Sequence, residues 1–316
     1  MNCKDNDVNN LNIIHVAGTK GKGSTCAFAR SFLREHGLRT GFPQKIGLYT
    51  SPDLRCIRER IQINDQPILE GLFAKYFFEV WDRLSSQDLP VVEGKEKLPR
   101  FLQLLALVAF HTFIKEEIEA AIFETHHGGE YDATNVVEKP IVTGITTIGL
   151  DHIAQLGPSI ENIAWHKAGI FKTGTPAFCA PQDPAVASIL QNRAAEKGVS
   201  LKFVEEDPSL PIDAKTLQVP VQKTNCSVAL ALVSAFLEQT ASTEHRHLSL
   251  SAISQGIEKF SWPGRFEVIV EGGSQWFLDG AHNQLSLKQA ADWFANTTLK
   301  GRRYVEINTS HICETH

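Results

Sequence analysis

At 316 residues, 42% hydrophobic and 21% charged, the chain has room for one large domain plus a smaller second one. Lys and Arg number 31 against 36 Asp and Glu, and the formal net charge of -5 argues against a nucleic-acid or anionic-membrane binder. The six cysteines are scattered, with no C-x-x-C pair and no Cys/His cluster at metal spacing, so they read as reduced thiols of an intracellular protein.

The first element is decisive. An apolar run (Ile13, Ile14, Val16) stops at Gly18, Gly21 and Gly23, which flank Lys20 and Lys22, and Ser24-Thr25 then open a run of helix formers. Strand, glycine-rich loop and helix in that order make a phosphate cradle: loop amides turn onto phosphate oxygens, the helix N-terminus adds partial positive charge, and a hydroxyl can hold Mg²⁺. The spacing departs from G-x-x-x-x-G-K-[ST], because Val16 stands at the first glycine and Gly23 separates Lys22 from Ser24.

Further along, strand and helix signals alternate, which predicts an α/β fold with a mostly parallel sheet. Residues 26–35 read as a helix closed by Gly37, residues 38–42 as a short return strand, and residues 43–51 as a loop. Residues 58–68 alternate and turn at Asn64-Asp65, a hairpin signature. Helices are expected over 69–84 and 98–115. The latter holds the longest apolar stretch, which is too short to span a bilayer and carries Gln103 and His111.

Residues 118–123 and 141–148 are β-rich runs ending at Glu124 and near Asp151-His152, and ligands of doubly wound sheets sit at such strand ends. Helices follow over 160–168, 184–197, 224–238 and 250–259, with strands at 177–179 and 202–204. Trp262-Pro263-Gly264 is a rigid break, dividing an ATP-binding domain, 1–263, from a second unit, 264–316. There two strands (266–270, 276–278), the loop Asp279 to Asn283, a helix over 285–296 and a strand at 303–307 are expected. The N-terminus lacks both the apolar region of a secretory signal and the arginines of a transit peptide, so cytosol is the expected location.

The loops HVAGTKGKGST, YTSPDL followed by RERIQIN, GGEYDATN, GLDH, IAWHKAGIFK, NCSVALAL, WPGR and LDGAHN, in this order and spacing, resemble the folylpolyglutamate synthases. These are Mur-type ATP-dependent amide ligases. Lys20 and the KIGLYTS insertion resemble the fungal and wider eukaryotic branch. The resemblance implies a P-loop central domain followed by a Rossmann-like C-terminal domain. It also implies a reaction in which ATP phosphorylates a reduced folate's carboxylate and L-glutamate's amine displaces the phosphate. Dihydrofolate synthesis by a close relative is one alternative, and a non-catalytic nucleotide-binding fragment is the other.

By the same resemblance, Gly18, Thr19, Lys20, Gly21, Lys22, Gly23, Ser24 and Thr25 bind ATP, joined by Gln222 and Asn225 and, from the second unit, by Arg265, Asp279 and His282. Ser24, Ser51, Glu124 and His152 hold metal, and Lys22, His152 and a carbamylated Lys167 serve the chemistry. Phe101 and Gln103 contact the pterin side of folate. ATP and Mg²⁺ are implied, with K⁺ a further candidate. The expected partners are a reduced folate, L-glutamate and ATP, for a monomer without nucleic acid or an integral membrane segment, and a mitochondrial form occurs in the family.

Two departures stand out. Asp53 replaces the histidine after Ser51-Pro52, adding negative charge beside the metal, and Thr125-His126-His127 replaces a small V-G-x, setting two imidazoles against the γ-phosphate. The match ends near Asn296, where family members continue, so a shortened second domain and N-terminus are expected.

Overall fold

The computed structural model describes residues 8–86, 98–282 and 284–298. The strand expected at 303–307, much of the loop at 85–97, Asn283, and Cys3 and Cys313 lie outside them. Two compact units divide at Met1–Trp262 and Pro263–His316.

In the first unit, β1 (Ile13–Ala17) leads through the glycine loop into α1 (Lys22–Thr40), followed by β2 (Ile46–Tyr49), β3 (Ile61–Ile63) and β4 (Gln66–Pro67). Helices α2 (Glu70–Ser86) and α3 (Phe101–Lys115) precede β5 (Ala120–Glu124) and β6 (Val142–Ile145). Next come α4 (Ile153–Leu156), α5 (Ile160–Lys167), β7 (Ala177–Cys179), α6 (Pro184–Glu196), β8 (Leu201–Phe203), α7 (Pro220–Thr240) and α8 (Leu250–Glu258).

The sheet order is β4-β3-β2-β5-β1-β6-β7-β8, parallel from β2 to β8, with the β3–β4 hairpin antiparallel at one edge. β1 therefore sits centrally between β5 and β6, and the carboxyl ends of β2, β5, β1 and β6 form one continuous rim.

Strand alternation divides the core between two faces. Ile14, Val16, Ile122 and Val142 pack with Phe28, Phe32, Val233 and Phe236 of α1 and α7. Ile13, Ala121 and Phe123 point the other way, onto Leu105, Ala109 and Phe113 of α3. Fully burying each such side chain contributes about 1.5–3 kcal/mol, so this central strand is anchored on both sides.

Two local expectations are corrected and a third, the hairpin turn, holds. α1 does not stop at Gly37 but runs to Thr40, where Gly41 (φ 83°) closes it by donating its N–H to Gly37 O at 2.8 Å. Gly37 serves close packing instead, since a Cβ there would lie 1.9 Å from Pro43 O. Residues 38–42 form no strand; the strand is Ile46–Tyr49, inside the expected loop. Its Gly47 is a packing residue, because a Cβ would come within 2.9 Å of the Phe113 ring. The hairpin turn falls at Asn64 and Asp65, whose positive φ values (48° and 68°) are what a tight two-residue turn requires.

The second unit contains β9 (Glu267–Glu271) paired antiparallel with β10 (Ser274–Leu278), then α9 (Gln284–Thr297). Among the described residues no helix is long and apolar enough to cross a membrane.

Candidate active site

The loop after β1 is built for close approach. Gly21 caps α1 in the left-handed region (φ 88°) and has no side chain to satisfy the first amides of the helix. A Cβ on Gly18 would lie 1.9 Å from Thr146 Oγ1, and one on Gly21 would lie 2.2 Å from Asn225 Oδ1. Thr19 and Lys20 donate their N–H groups to Thr147 O at 2.9 and 3.1 Å, and Thr19 Oγ1 donates to Gly149 O at 3.0 Å. The loop is thereby fixed to the rim beyond β6. Ser24 and Thr25 are buried in the first turns of α1, and Gly23 backs onto the Trp262 indole.

Register brings the other groups alongside. Val16 pairs with Glu124 and Tyr49 with Phe123, so Glu124 stands between the loop and Ser51. Its carboxylate accepts from the Thr50 hydroxyl and, at 3.3 Å, from the Ser51 N–H, while Lys22 Nζ lies 4.0 Å away. At 3% exposure Glu124 is not a solvated strand end.

Lys167 at the end of α5 is 2% exposed, and its Nζ donates to Gly18 O at 2.7 Å. Burial above all, then the charge of Lys22, holds this amine well below the ordinary lysine range. Lys20 pairs with Asp151 at 3.4 Å. His152 adopts a left-handed backbone (φ 50°) before α4, and its ring lies 4.2 Å from that of His127. Burial, then His127, lowers the His152 imidazole to about 4, with Lys167 and Lys22 adding to the effect against Asp151.

Gln222 and Asn225 of α7 are both buried, and Asn225 Nδ2 donates to Gln222 Oε1 at 3.2 Å. Asn225 Oδ1 and Thr25 Oγ1 are buried without a partner. Beside uncapped amides these two atoms fit a polyphosphate: the Thr25 hydroxyl can donate to a phosphate oxygen, and Asn225 Oδ1 can accept from water bound to the nucleotide. Among the described residues no three His, Cys, Asp or Glu side chains are poised to hold a metal. A lone Glu124 with hydroxyls fits Mg²⁺ arriving with phosphate, since that ion keeps few protein ligands.

The two departures resolve differently from expectation. Asp53 is ion-paired: it accepts from Arg60 Nε at 2.5 Å. His126 does not face the phosphate side; it is buried, bonded to the Tyr49 hydroxyl at 2.6 Å and lying 3.4 Å from Asp132. Of the two histidines, His127 is the exposed one.

Asp132, within the GGEYDATN stretch, is a residue to which the sequence alone assigns no role. That carboxylate accepts from the backbone of His126 (2.8 Å), His127 (2.9 Å) and Thr134 (3.0 Å), and from the Thr134 hydroxyl (2.7 Å). Thr134 Oγ1 in turn meets His15 Nε2 at 2.8 Å. The available signal was an aspartate two residues before a threonine in a glycine-rich loop, the pattern of an Asx turn.

Phe101, at the start of α3, is 57% exposed rather than packed in the core. Gln103 accepts the Arg100 N–H at 2.9 Å and so caps α3. In the second unit Arg265 Nη1 donates to Gly264 O at 2.9 Å, and Asp279 accepts from Phe266 N at 2.9 Å. His282 Nδ1 meets Gly280 O at 2.9 Å, so these three residues share one loop cluster.

Comparison with known proteins decides the kinship. The chain is 48% identical over 297 residues to the folylpolyglutamate synthase of Neurospora crassa, covering 93% of this chain. It is 44% identical to the probable folylpolyglutamate synthase of Schizosaccharomyces pombe, covering 92% of this chain. The chain belongs with the folylpolyglutamate synthases. It spans 56% and 57% of those two curated relatives. No protein-family model matches it.

Two solved structures in this family superpose well. An FPGS–AMPPCP–folate complex matches with TM-score 0.77 and 26% identity, covering 93% of this chain and 73% of that one. E. coli FolC in complex with DHPP and ADP matches with TM-score 0.75 and 27% identity, covering 95% and 69%. The mostly parallel sheet with a phosphate loop after its central strand is thus the Mur-ligase-type fold of the folylpolyglutamate synthases.

Proposed function

We propose that the chain carries the phosphoryl-transfer half of an ATP-dependent amide ligase that adds L-glutamate to the γ-carboxyl of a reduced folate. One observation carries the reading: Lys22, Glu124 and the Lys167–Gly18 contact converge on one rim of the sheet, beside uncapped helix amides. The folate in the related FPGS–AMPPCP–folate complex supports the acceptor.

Phosphoryl transfer between two anions needs alignment and charge neutralisation more than covalent help. Amides of residues 21–24 and the Lys22 ammonium would hold the β- and γ-phosphates. Glu124, Ser24, Ser51 and His152 would hold Mg²⁺, which when bound neutralises charge on the transferred group. The folate carboxylate oxygen takes the γ-phosphoryl group, releasing ADP. The glutamate amine then attacks the acyl carbon, the C–O bond breaks, phosphate departs with that electron pair, and the nitrogen gives up a proton. Phe101 and Gln103 would face the pterin side. Arg265, Asp279 and His282 are further proposed nucleotide ligands, on the family resemblance alone.

The test is phosphate release with ATP, Mg²⁺, tetrahydrofolate and glutamate, by the chain alone and joined to the C-terminal remainder of the Neurospora crassa relative. Release that depends on both folate and glutamate is expected. Its absence from both forms, with ATP binding retained, overturns the proposal.

A further inference from the structure

Arg60 is a guanidinium held by one edge. Its Nε donates to Asp53 Oδ1 at 2.5 Å, and the two side chains are 11% and 28% exposed. Its Nη atoms make no hydrogen bond among the described residues, and its Cζ lies 5.7 Å from the centroid of the Phe101 ring. That ring is 57% exposed.

The backbone places this group beside the chemistry. Arg60 O accepts the Thr50 N–H at 3.0 Å, and the Thr50 hydroxyl donates to Glu124. A half-used guanidinium fork next to an open aromatic face is a receptor for an aromatic molecule bearing a carboxylate. The fork takes the two oxygens, and the ring takes the aryl face.

We propose that Arg60 receives a carboxylate of the acceptor and that Asp53, which holds the other edge of the fork, limits how strongly the site takes anionic acceptors. This rests on the ligase reading above and names a specificity device within it. Asp53 fixes the fork in place, yet it contributes a negative charge that opposes each further carboxylate. The site then discriminates by acceptor charge, an asset where successive products gain carboxylates.

The experiment is calorimetric titration of the chain at low ionic strength with p-aminobenzoyl-L-glutamate, its tri-γ-glutamyl form and neutral p-aminobenzamide. Wild type, Asp53→Asn, Arg60→Lys and Arg60→Met are compared, with ATP binding as a check on folding. Arg60→Met should weaken both glutamates about tenfold or more and leave the neutral amide and ATP unchanged. Arg60→Lys keeps charge without the fork and should lose about threefold. Asp53→Asn should tighten the tri-γ-glutamyl probe several-fold more than the monoglutamate, on the order of the interaction between exposed charges. Equal affinity in wild type and Arg60→Met, or weakening by Asp53→Asn of both probes alike, overturns the proposal while leaving the ligase reading in place. Failure of wild type to take either glutamate, with ATP bound, likewise overturns the proposal, while the ligase reading is decided separately by phosphate release.

Discussion

Lys167 Nζ donates to the carbonyl oxygen of Gly18 at 2.7 Å, so the end of α5 grips the first glycine of the phosphate loop. This amine is buried and faces Lys22, and its proton affinity falls well below the ordinary lysine range. The unfolded chain therefore holds a proton that the folded chain lacks, over the window from the folded value up to about 10.4. Stability rises with pH across that window, because the unfolded state binds more protons there. In CO2-free buffer, the melting temperature of wild type should climb relative to Lys167→Met between pH 7 and pH 10. A neutral amine is also the form that adds CO2 to give a carbamate and a proton, so labelled bicarbonate should leave label in wild type and none in Lys167→Met. A melting difference independent of pH without CO2 would show the amine to be charged and the premise wrong.

Glu124 lies on the rim between Lys22 and Ser51. Glu124→Gln keeps the shape and the contacts with Thr50 and Ser51 but removes the charge a hard cation prefers. We expect metal-free ATP binding to stay within about twofold and Mg²⁺-dependent turnover to drop about 100-fold, the scale for loss of one electrostatic stabiliser. Steady-state kinetics against Mg²⁺ concentration checks it; unchanged half-saturation would move the metal elsewhere.

Much of this geometry was legible in the residues, and the failures have physical causes. The phosphate loop showed because strand, glycines, lysines and helix formers are contiguous, and the hairpin showed because Asn64-Asp65 is a local signal. What stayed hidden was long-range. Gly37 and Gly47 looked like a helix stop and a loop former, yet each is glycine because Pro43 or the Phe113 ring presses on it. Asp53 read as a negative charge beside the metal and His126 as an imidazole set against the γ-phosphate, and only the fold reveals Arg60 beside one and Tyr49 beside the other. Lys167 could have been an exposed helix lysine, until α5 packed its end against β1.

Gly18 tests the close approach of loop and rim. Gly18→Ala would drive a Cβ to 1.9 Å from Thr146 Oγ1, so the loop or β6 must shift. Overpacking of this kind costs about 1–3 kcal/mol, and the displaced loop should bind ATP at least about tenfold more weakly. Adding Thr146→Gly removes the clashing side chain but leaves an alanine at φ 152°, a backbone conformation that L residues rarely adopt, so affinity should recover only in part. Calorimetric titration with ATP decides, and a double variant as weak as Gly18→Ala would show that backbone conformation, not Thr146, demands the glycine.

Asp132 tests the buried network beneath the rim. Burial alone would push its carboxyl up, but hydrogen bonds from His126 and Thr134 and the His126 charge override this and hold it well below the usual carboxylate range. A depressed carboxylate contributes stability that is present above its unfolded value of about 3.9 and is lost as pH falls toward the folded one. Asp132→Asn strands amides that the carboxylate had accepted, at a cost of about 3 kcal/mol for a buried charged partner. Burial lowers His15 to about 4 as well, so both proteins weaken as pH drops below the ordinary histidine range, and the informative quantity is their difference. That difference, from urea unfolding, should be constant from pH 5 to pH 8 and narrow below about pH 4 as the wild-type carboxylate takes its proton. Since Asp132 also fixes the backbone of His126 and His127, which follow Glu124, Asp132→Asn should lower turnover more than ATP affinity. Equal stability of the two proteins at pH 7 would mean that the loop after β5 does not depend on this carboxylate.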